Sequence, residues 1–427
     1  MMLDRKTAPE AHAIDSIEII TLDSFPLKNQ LPVHSMSAGS QELLKLEVIL
    51  DAGSAHHTNP LIPSFTNAML QEGTTTRSAM QIASDVDDYG AFLELDHDKD
   101  FASVSLYTLN KHLDKTLPVI KDILLNPSFP EKEWNIFRAN RLQKYKVNLG
   151  KVSFVAGKKF QELIFTGTAY GTPFEEADYL SVSTKDLKAY WEKHYTNDSL
   201  KFLLCGHIDS KVKEIVANNF GDLKVKQPNF YKDLAAAKTV KPIERKQFIE
   251  KEDAIQSAIR IGRRLFTKNH DDYFGMKVLT TILGGYFGSR LMSNIREDKG
   301  YTYGIGAGIA AYKNEGYFYI STEVGADVCK PALTEIYKEI EILQQDLVSE
   351  QELQLVKNYL LGNLLKSFDG PFERMDRFKS TRLYGLDLGF YTRYTAAIKA
   401  INAEQIRNLA NVWLQKDDLV ELVVGKK

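Results

Sequence analysis

Cysteine and long hydrophobic runs are both scarce in this chain. Only Cys205 and Cys329 occur among the 427 residues, and both lie in apolar or mixed segments, so reduced and partly buried thiols are expected and a disulfide framework is not. No run of about 18 apolar residues occurs, and the first 20 residues contain no apolar segment ahead of a cleavage site. These absences argue against a membrane span and against secretion. A cytoplasmic location is expected, and a periplasmic one is left open.

An excess of positive charge is also lacking. The chain has 54 lysines and arginines against 56 aspartates and glutamates, a net charge of -2, whereas binding to nucleic acid needs a strongly basic face. No Gly-Lys-Ser/Thr phosphate loop follows Gly284-Gly285, and no G-x-S-x-G nucleophile motif occurs. What is present is 44% hydrophobic and 11% aromatic residues, enough to form large cores in a globular protein.

Two stretches of sequence share one design, residues 113–142 and residues 329–361. Each pattern predicts an amphipathic helix, a short break and a second helix with acidic residues in its first turn. Their spacing of roughly 215–220 residues is half of the chain and indicates duplicated domains. We expect a first domain over residues 14–232, a linker over residues 233–247 and a second domain over residues 248–427.

Within each half, the hydrophobic pattern predicts a strand, two helices and two further strands. This order favours an α+β fold with two homologous domains, each a mostly antiparallel sheet with helices packed on one face. The elements predicted in the first half are a strand at 44–51, helices at 63–71 and 80–89, and strands at 91–95 and 101–108. Those predicted in the second half are a strand at 258–262, helices at 273–283 and 290–299, and strands at 301–310 and 316–323.

A pair of hydrogen-bond donors stands out in the second half. Gly300 is predicted to end a helix in the left-handed conformation, which places Arg296 in the last turn of that helix and Tyr303 on the next strand. A guanidinium and a phenol that converge on one point would suit a peptide carbonyl or a developing oxyanion. The alternative is that Arg296 caps the helix or pairs with Glu297 or Asp298 while Tyr303 packs in the core. For an arbitrary arginine and tyrosine at this spacing, the alternative is favoured.

A resemblance to the pitrilysin family of zinc metallopeptidases, the inverzincins, is carried by the run GGYFGSRLMSNIREDKGYTYGIGAG. The first half resembles the same family in DAGSAHHTNPLIPSFTNAMLQEGTTTRSAM and in LLNPSFPEKEW, and the likeness to this family and to mitochondrial processing peptidase subunits covers roughly residues 14–424. The resemblance implies that Arg296 and Tyr303 are the family's pair of residues that contact substrate and transition state. It also implies that Gly304 lies in the substrate-binding strand.

The first half departs from the family where catalytic members carry the zinc motif H-x-x-E-H ahead of a Gly-Thr dipeptide. The corresponding positions are Ser64, Asn67 and Ala68, and the glutamate that serves as the third ligand aligns near Phe154. Zinc requires imidazole, thiolate or carboxylate ligands, and an asparagine cannot act as the general base for a zinc-bound water. We therefore expect no metal cofactor in this chain.

Other metal-ligand residues lack a suitable spacing. His56 and His57 are adjacent and point apart, and residues 96–100, which read DHDKD, are typical of a charged strand end or turn. Solvated surface is the favoured interpretation of both. The sequence leaves an adventitious metal at His56, His57 or His97 open.

Three hypotheses for function follow. In the first, the chain is the non-metal subunit of a heterodimeric zinc metallopeptidase that cleaves extended peptides, is inactive alone, and relies on a homologous partner for zinc. In the second, it is a catalytically silent peptide-binding or scaffold protein of the same fold. The third and least favoured is a metallopeptidase that acts alone with unorthodox ligands. The sequence leaves open whether the isolated chain forms a monomer, a homodimer or part of a heterodimer.

Overall fold

The structure is a computed structural model that describes residues 22–225, 234 and 244–426. Two sheets are present, one from each half of the chain. Among the described residues, no helix combines the length and the apolar character needed to cross a membrane.

The first sheet has six strands in the order β1-β2-β6-β3-β5-β4, and every pairing is antiparallel except that of β2 with β6. Its strands are β1 (Asp23–Pro26), β2 (Pro32–Ser37), β3 (Leu43–Leu50), β4 (Phe92–His97), β5 (Ala102–Leu109) and β6 (Lys201–Gly206). The helices of this half are α1 (Leu61–Met69), α2 (Ala79–Asp87), α3 (Leu113–Leu125), α4 (Glu131–Leu149), α5 (Val152–Ile164), α6 (Glu176–Ser181), α7 (Thr184–His194) and α8 (Ser210–Phe220).

The second sheet repeats this topology in the order β7-β11-β8-β10-β9, with β7 parallel to β11. Its strands are β7 (Lys246–Glu250), β8 (Gln256–Leu265), β9 (Thr302–Ala311), β10 (Gly316–Gly325) and β11 (Val420–Gly425). The helices are α9 (Tyr273–Thr280), α10 (Cys329–Gln345), α11 (Glu350–Lys366), α12 (Pro371–Arg382), α13 (Gly389–Ala400) and α14 (Ala403–Trp413), with π-helical segments at Thr281–Gly285 and Met292–Asp298.

The predicted α+β class and the two mostly antiparallel sheets are confirmed. The two stretches of shared design form α3 with α4 and α10 with α11, so the repeat seen in the sequence is also a repeat of structure. The domain boundaries stay a prediction, because most of the proposed linker and the start of the first domain lie outside the described residues. Lys246, which fell inside the proposed linker, begins β7.

Each sheet is covered on both faces by other parts of the chain. The side chains of β3, which point alternately to the two faces, show what covers each face of the first sheet. Leu44, Leu46 and Val48 point into the core formed with helices of the first half, whereas Ile49 points to the opposite face. That opposite face is covered by a helix of the second half, because Met375 and Phe378 of α12 pack in the same cluster as Ile49. Lys45 and Glu47 of β3 are consequently buried, with an ion pair of 3.3 Å between them.

The second sheet is covered in the reciprocal way. Ile259 and Ile261 of β8 face the core of their own half, and Ala258 faces the opposite side. Ala156 and Phe160 of α5, a helix of the first half, pack in the cluster that contains Ala258. We call α5 and α12 the exchanged helices: each packs against the sheet of the other half.

A polar cluster lies where the two halves meet, and it corrects the prediction of solvated surface at Asp100, the last residue of the run 96–100, whereas Asp96 and Asp98 are exposed as predicted. Asp100 is only 1% exposed. Its carboxylate accepts a hydrogen bond of 2.5 Å from the Tyr170 hydroxyl and one of 2.8 Å from the backbone N–H of Lys313, in the turn between β9 and β10. Burial raises the pKa of Asp100. His56 is also buried, with Nε2 3.1 Å from the Asp100 carbonyl oxygen.

Candidate functional site

The three positions that correspond to the zinc motif lie on α1, which packs against β4 at the edge of the first sheet. Asn67 is only 1% exposed, and every hydrogen-bonding atom of its amide group has a partner. Its Nδ2 donates to the carbonyl oxygens of Asp96 (2.7 Å) and Ser103 (3.3 Å), which are register partners on β4 and β5. Its Oδ1 accepts a hydrogen bond of 3.0 Å from the Tyr195 hydroxyl. Asn67 therefore fastens α1 to the sheet.

The residues at these positions do not fit a zinc ion. Ala68 has no atom that can coordinate a metal, and Ser64 offers only a hydroxyl. The amide of Asn67 is already hydrogen-bonded to Asp96, Ser103 and Tyr195. Phe154, where the third ligand aligns, packs its ring against that of Tyr145 at 6.0 Å. Throughout residues 22–225 and 244–426, no group of three or more histidine, cysteine, aspartate or glutamate residues is placed to hold a metal ion.

His56 and His57 lie beside the stacked rings of Tyr190 and His194, whereas His97 lies at the end of β4. The ring of His56 lies 5.8 Å from that of His194, and the ring of His57 lies 5.8 Å from that of Tyr190. Burial lowers the pKa of His57, and it lowers the pKa of His97, at the end of β4, to about 4. The neutral imidazole is therefore the favoured form of both side chains at neutral pH.

The contacts of Asn67 lead to a prediction about stability. Asn67→Asp keeps the shape of the side chain but places a carboxylate against the carbonyl oxygens of Asp96 and Ser103. We expect the free energy of unfolding to fall by about 2–3 kcal/mol at pH 7, because a buried donor becomes a charged acceptor. Urea titration measures the change.

A matched control for this substitution is Asn135→Asp, at an exposed position on α4, which should change the free energy of unfolding by less than about 0.5 kcal/mol. Equal stability of Asn67→Asp and the parent protein would contradict the structural role of Asn67.

The two donors of the second half lie on neighbouring elements. Arg296 belongs to the π-helical segment Met292–Asp298, and Tyr303 lies near the start of β9. Gly300 has a φ of 65°, which confirms the predicted left-handed end of the helix. The backbone N–H of Tyr301 then donates to the carbonyl oxygen of Ile295 at 3.0 Å, which holds the start of the strand against the helix.

A β-bulge sets the direction of Tyr303. Ile305 pairs with Thr322 and Thr302 pairs with Val324, so Tyr303 and Gly304 together lie opposite the single residue Glu323. A bulge of this kind bends the strand and redirects a side chain. Ile305 and the alternate residues that follow it are buried, but Tyr303 is 92% exposed. The alternative in which Tyr303 packs in the core is therefore wrong.

The bulge is stabilised by two threonine hydroxyls. The Thr322 Oγ1 donates to the Gly304 carbonyl oxygen at 2.9 Å, and the backbone N–H of Gly304 donates to the Thr302 Oγ1 at 3.1 Å. The backbone groups of Gly304 are thus engaged within the hairpin. The contribution of Gly304 to substrate binding stays a prediction.

Arg296 is half-buried, and its guanidinium lies over the ring of Phe287, with 4.6 Å between the guanidinium carbon and the ring centre. Within the described part of the chain, it makes no ion pair with Glu297, Asp298 or any other carboxylate. By contrast, Arg290 on the same helix is bound at 2.8 and 2.9 Å to both carboxylate oxygens of Glu352. The guanidinium of Arg296 is therefore positioned by stacking on Phe287, and its N–H groups are not engaged in a salt bridge.

The structure groups these residues into two sets. Ser64, Asn67 and Ala68 share one helix in the first half, and Arg296 and Tyr303 lie on adjoining elements of the second. No hydrogen bond or ring contact joins the two sets among the residues described. The sequence did not predict that Phe287 supports Arg296. Phe287 lies two residues before Ser289, within residues 284–308 that carry the family resemblance, and this position marked it as a candidate.

Comparison with known proteins gives related sequences and folds. Residues 181–360 match the family described as peptidase M16 inactive domain. An uncharacterized zinc protease of Bacillus subtilis, YmxG, is 24% identical over 93% of this chain and 95% of its own length. An uncharacterized zinc protease of Rickettsia felis is 26% identical over 90% of this chain and 93% of its own length.

Solved structures share the fold over almost the whole chain. A peptidase M16 inactive domain from Pseudomonas fluorescens superposes with a TM-score of 0.83 at 21% identity, covering 96% of this chain and 99% of that one. A chain of complex III2 from Candida albicans superposes with a TM-score of 0.74 at 15% identity, covering 95% of this chain and 96% of that one. The resemblance found in the sequence is confirmed at the level that these comparisons reach: residues 181–360 match the peptidase M16 inactive domain, and the chain shares the two-sheet fold of solved M16 structures.

Proposed function

We propose that this chain is the non-metal subunit of a heterodimeric zinc metallopeptidase. The observation that carries the proposal is the exposure of Tyr303, a large aromatic side chain that a stabilised bulge holds in solvent beside the helix of Arg296. An aromatic residue is normally at least half buried, so a position that keeps one in water favours a role in binding. The names of the similar bacterial proteins, which include zinc protease, support the same chemistry.

The division of labour follows from the donor groups. The phenol of Tyr303 and the guanidinium of Arg296 would donate hydrogen bonds to the backbone carbonyl of an extended peptide and to the oxyanion that develops there. A homologous partner subunit with an intact H-x-x-E-H motif would supply the zinc and the general base. Positions 64, 67 and 68 of this chain supply neither, because Asn67 is a fixed structural contact and Ala68 has no donor.

A mixing experiment tests this function. Peptide hydrolysis is measured with this chain alone, with a zinc-bearing homologue alone, and with the two together. We expect hydrolysis only in the mixture, in proportion to the heterodimer detected by size-exclusion chromatography with light scattering. Stable heterodimer without hydrolysis of any member of an unstructured peptide library would favour the scaffold hypothesis instead. Hydrolysis by this chain alone, with zinc retained after dialysis, would contradict the proposal.

A further inference from the structure

A cavity of about 600 Å³ lies in the second half, and Tyr303 is not among its lining residues. Backbone and side chains of β9, from Ala307 to Ala311, form one wall. The other walls come from α9, α11, α12 and α13. The cavity is large enough for a drug-sized molecule, and it lies between helices packed on a sheet, where ligand sites are common.

Three cations line this cavity: Lys268, Lys277 and Arg377. The Lys268 Nζ donates to the carbonyl oxygen of Ser380 at 3.1 Å, and the Lys277 Nζ lies 3.4 Å from the carbonyl oxygen of Ile309. Neither carbonyl carries a full negative charge. No carboxylate lines the cavity, and none of the ion pairs of the described residues includes any of the three cations.

The cations are close enough to oppose one another. Burial, followed by repulsion from Lys277 and Arg377, lowers the pKa of Lys268 to about 8. Burial and repulsion from Arg377 also lower the pKa of Lys277. Clustered positive charge without a counter-charge is costly in a partly desolvated site, and an anion that reaches all three groups would remove that cost.

The remaining lining groups suit an organic anion. The rings of Tyr273, Phe390, Tyr391 and Tyr394 form an aromatic wall. The hydroxyls of Tyr273 and Tyr394 have no hydrogen-bond partner among the described residues, although Tyr273 is buried. Neither hydroxyl is fully buried, so both are accessible and available to a bound molecule.

We infer that this cavity binds a small organic molecule with a diphosphate or triphosphate group, whose phosphates contact Lys268, Lys277 and Arg377 while its organic part lies on the tyrosine rings. A single carboxylate would neutralise one cation and leave two, whereas adjoining phosphates concentrate several negative charges within the reach of three donors. The inference goes beyond the proposed function, because it involves neither Tyr303 nor a partner subunit.

Isothermal titration calorimetry on the full chain at low ionic strength tests the inference, with inorganic tripolyphosphate, inorganic diphosphate, adenosine diphosphate and citrate as separate titrants. We expect the three phosphate compounds to bind, citrate to bind more weakly, and added salt to weaken all binding. Tighter binding of adenosine diphosphate than of inorganic diphosphate would support the role of the rings. Equal binding of those two would overturn that role, and an absence of phosphate binding up to millimolar concentration would overturn the site.

Variants locate the binding. Lys277→Gln and Arg377→Gln should each weaken tripolyphosphate binding by about tenfold or more, because each removes a charged contact. Arg377 is exposed at the rim, so its substitution should not disturb folding. Lys330→Gln, at an exposed site on α10, is the matched control and should leave binding unchanged. Undiminished affinity in both cavity variants, or binding of a poly-glutamate peptide while the phosphate compounds fail to bind, would contradict the inference.

Discussion

Tyr303→Phe is expected to lower the rate of peptide hydrolysis by the mixed subunits about 100- to 1,000-fold, the usual effect of removing one donor to an oxyanion. The bulge keeps the side chain 92% exposed, so loss of the hydroxyl leaves no cavity in the core of this chain. The free energy of unfolding should therefore stay the same. Steady-state kinetics with a fluorogenic peptide, together with urea titration, measure both quantities.

The kinetic signature distinguishes catalysis from binding. A donor that acts mainly in the transition state lowers kcat and kcat/KM together, whereas one that only binds substrate raises KM. Tyr301→Phe is the matched control, because Tyr301 precedes the bulge, is half-buried and packs against the second core. Hydrolysis at the parent rate by Tyr303→Phe would give Tyr303 a structural or partner-binding role instead.

Asp51→Ala is expected to lower the free energy of unfolding by about 3–5 kcal/mol, because it removes one side of a buried ion pair. Asp51 is 1% exposed, and its carboxylate lies 3.0 Å from the Lys201 Nζ and 3.8 Å from the Lys313 Nζ. Both ammonium groups also lie over the ring of Phe101, at 5.9 and 5.6 Å from its centre. Without Asp51, two positive charges would face each other between the halves.

A control for this experiment is Asp114→Ala, since Asp114 pairs with Lys115 at 3.4 Å on the surface. Exposed pairs contribute about 0–1 kcal/mol, so the control should change stability little. The double variant Asp51→Leu with Lys201→Met should recover part of the lost stability, because apolar side chains can replace a buried pair. A loss below about 1 kcal/mol in Asp51→Ala would show that water reaches the cluster.

Local pattern predicted much of the fold. The helices α3, α4, α10 and α11 were predictable from their own residues, because each is amphipathic or has acidic residues in its first turn. The burial of Asp100 was not readable, because it depends on Lys313 and Tyr170, which are distant in sequence. A charged run looks solvated until the segment that covers it is known.

The candidate site was predictable to a similar extent. Residues 284–308 identified Arg296 and Tyr303 through their resemblance to the family, and Gly300 marked the end of the helix that carries Arg296. The bulge was not predicted, since it arises from the register of β9 against β10 and from the hydroxyls of Thr302 and Thr322. The hydrogen bonds by which Asn67 holds α1 against the sheet were not predicted either. Its partners lie on β4, on β5 and after α7, which are distant from Asn67 in the sequence.

The exchanged helices give the two halves the topology of a domain-swapped dimer contained in a single chain. α5 covers the second sheet and α12 covers the first, so each half completes the hydrophobic packing of the other. A fragment made of either half alone would keep its own helix without a sheet to cover and would expose an apolar sheet face. Two such fragments would present complementary apolar surfaces to each other. An ancestral single repeat with this arrangement would have required a second copy of itself to bury both faces of its sheet.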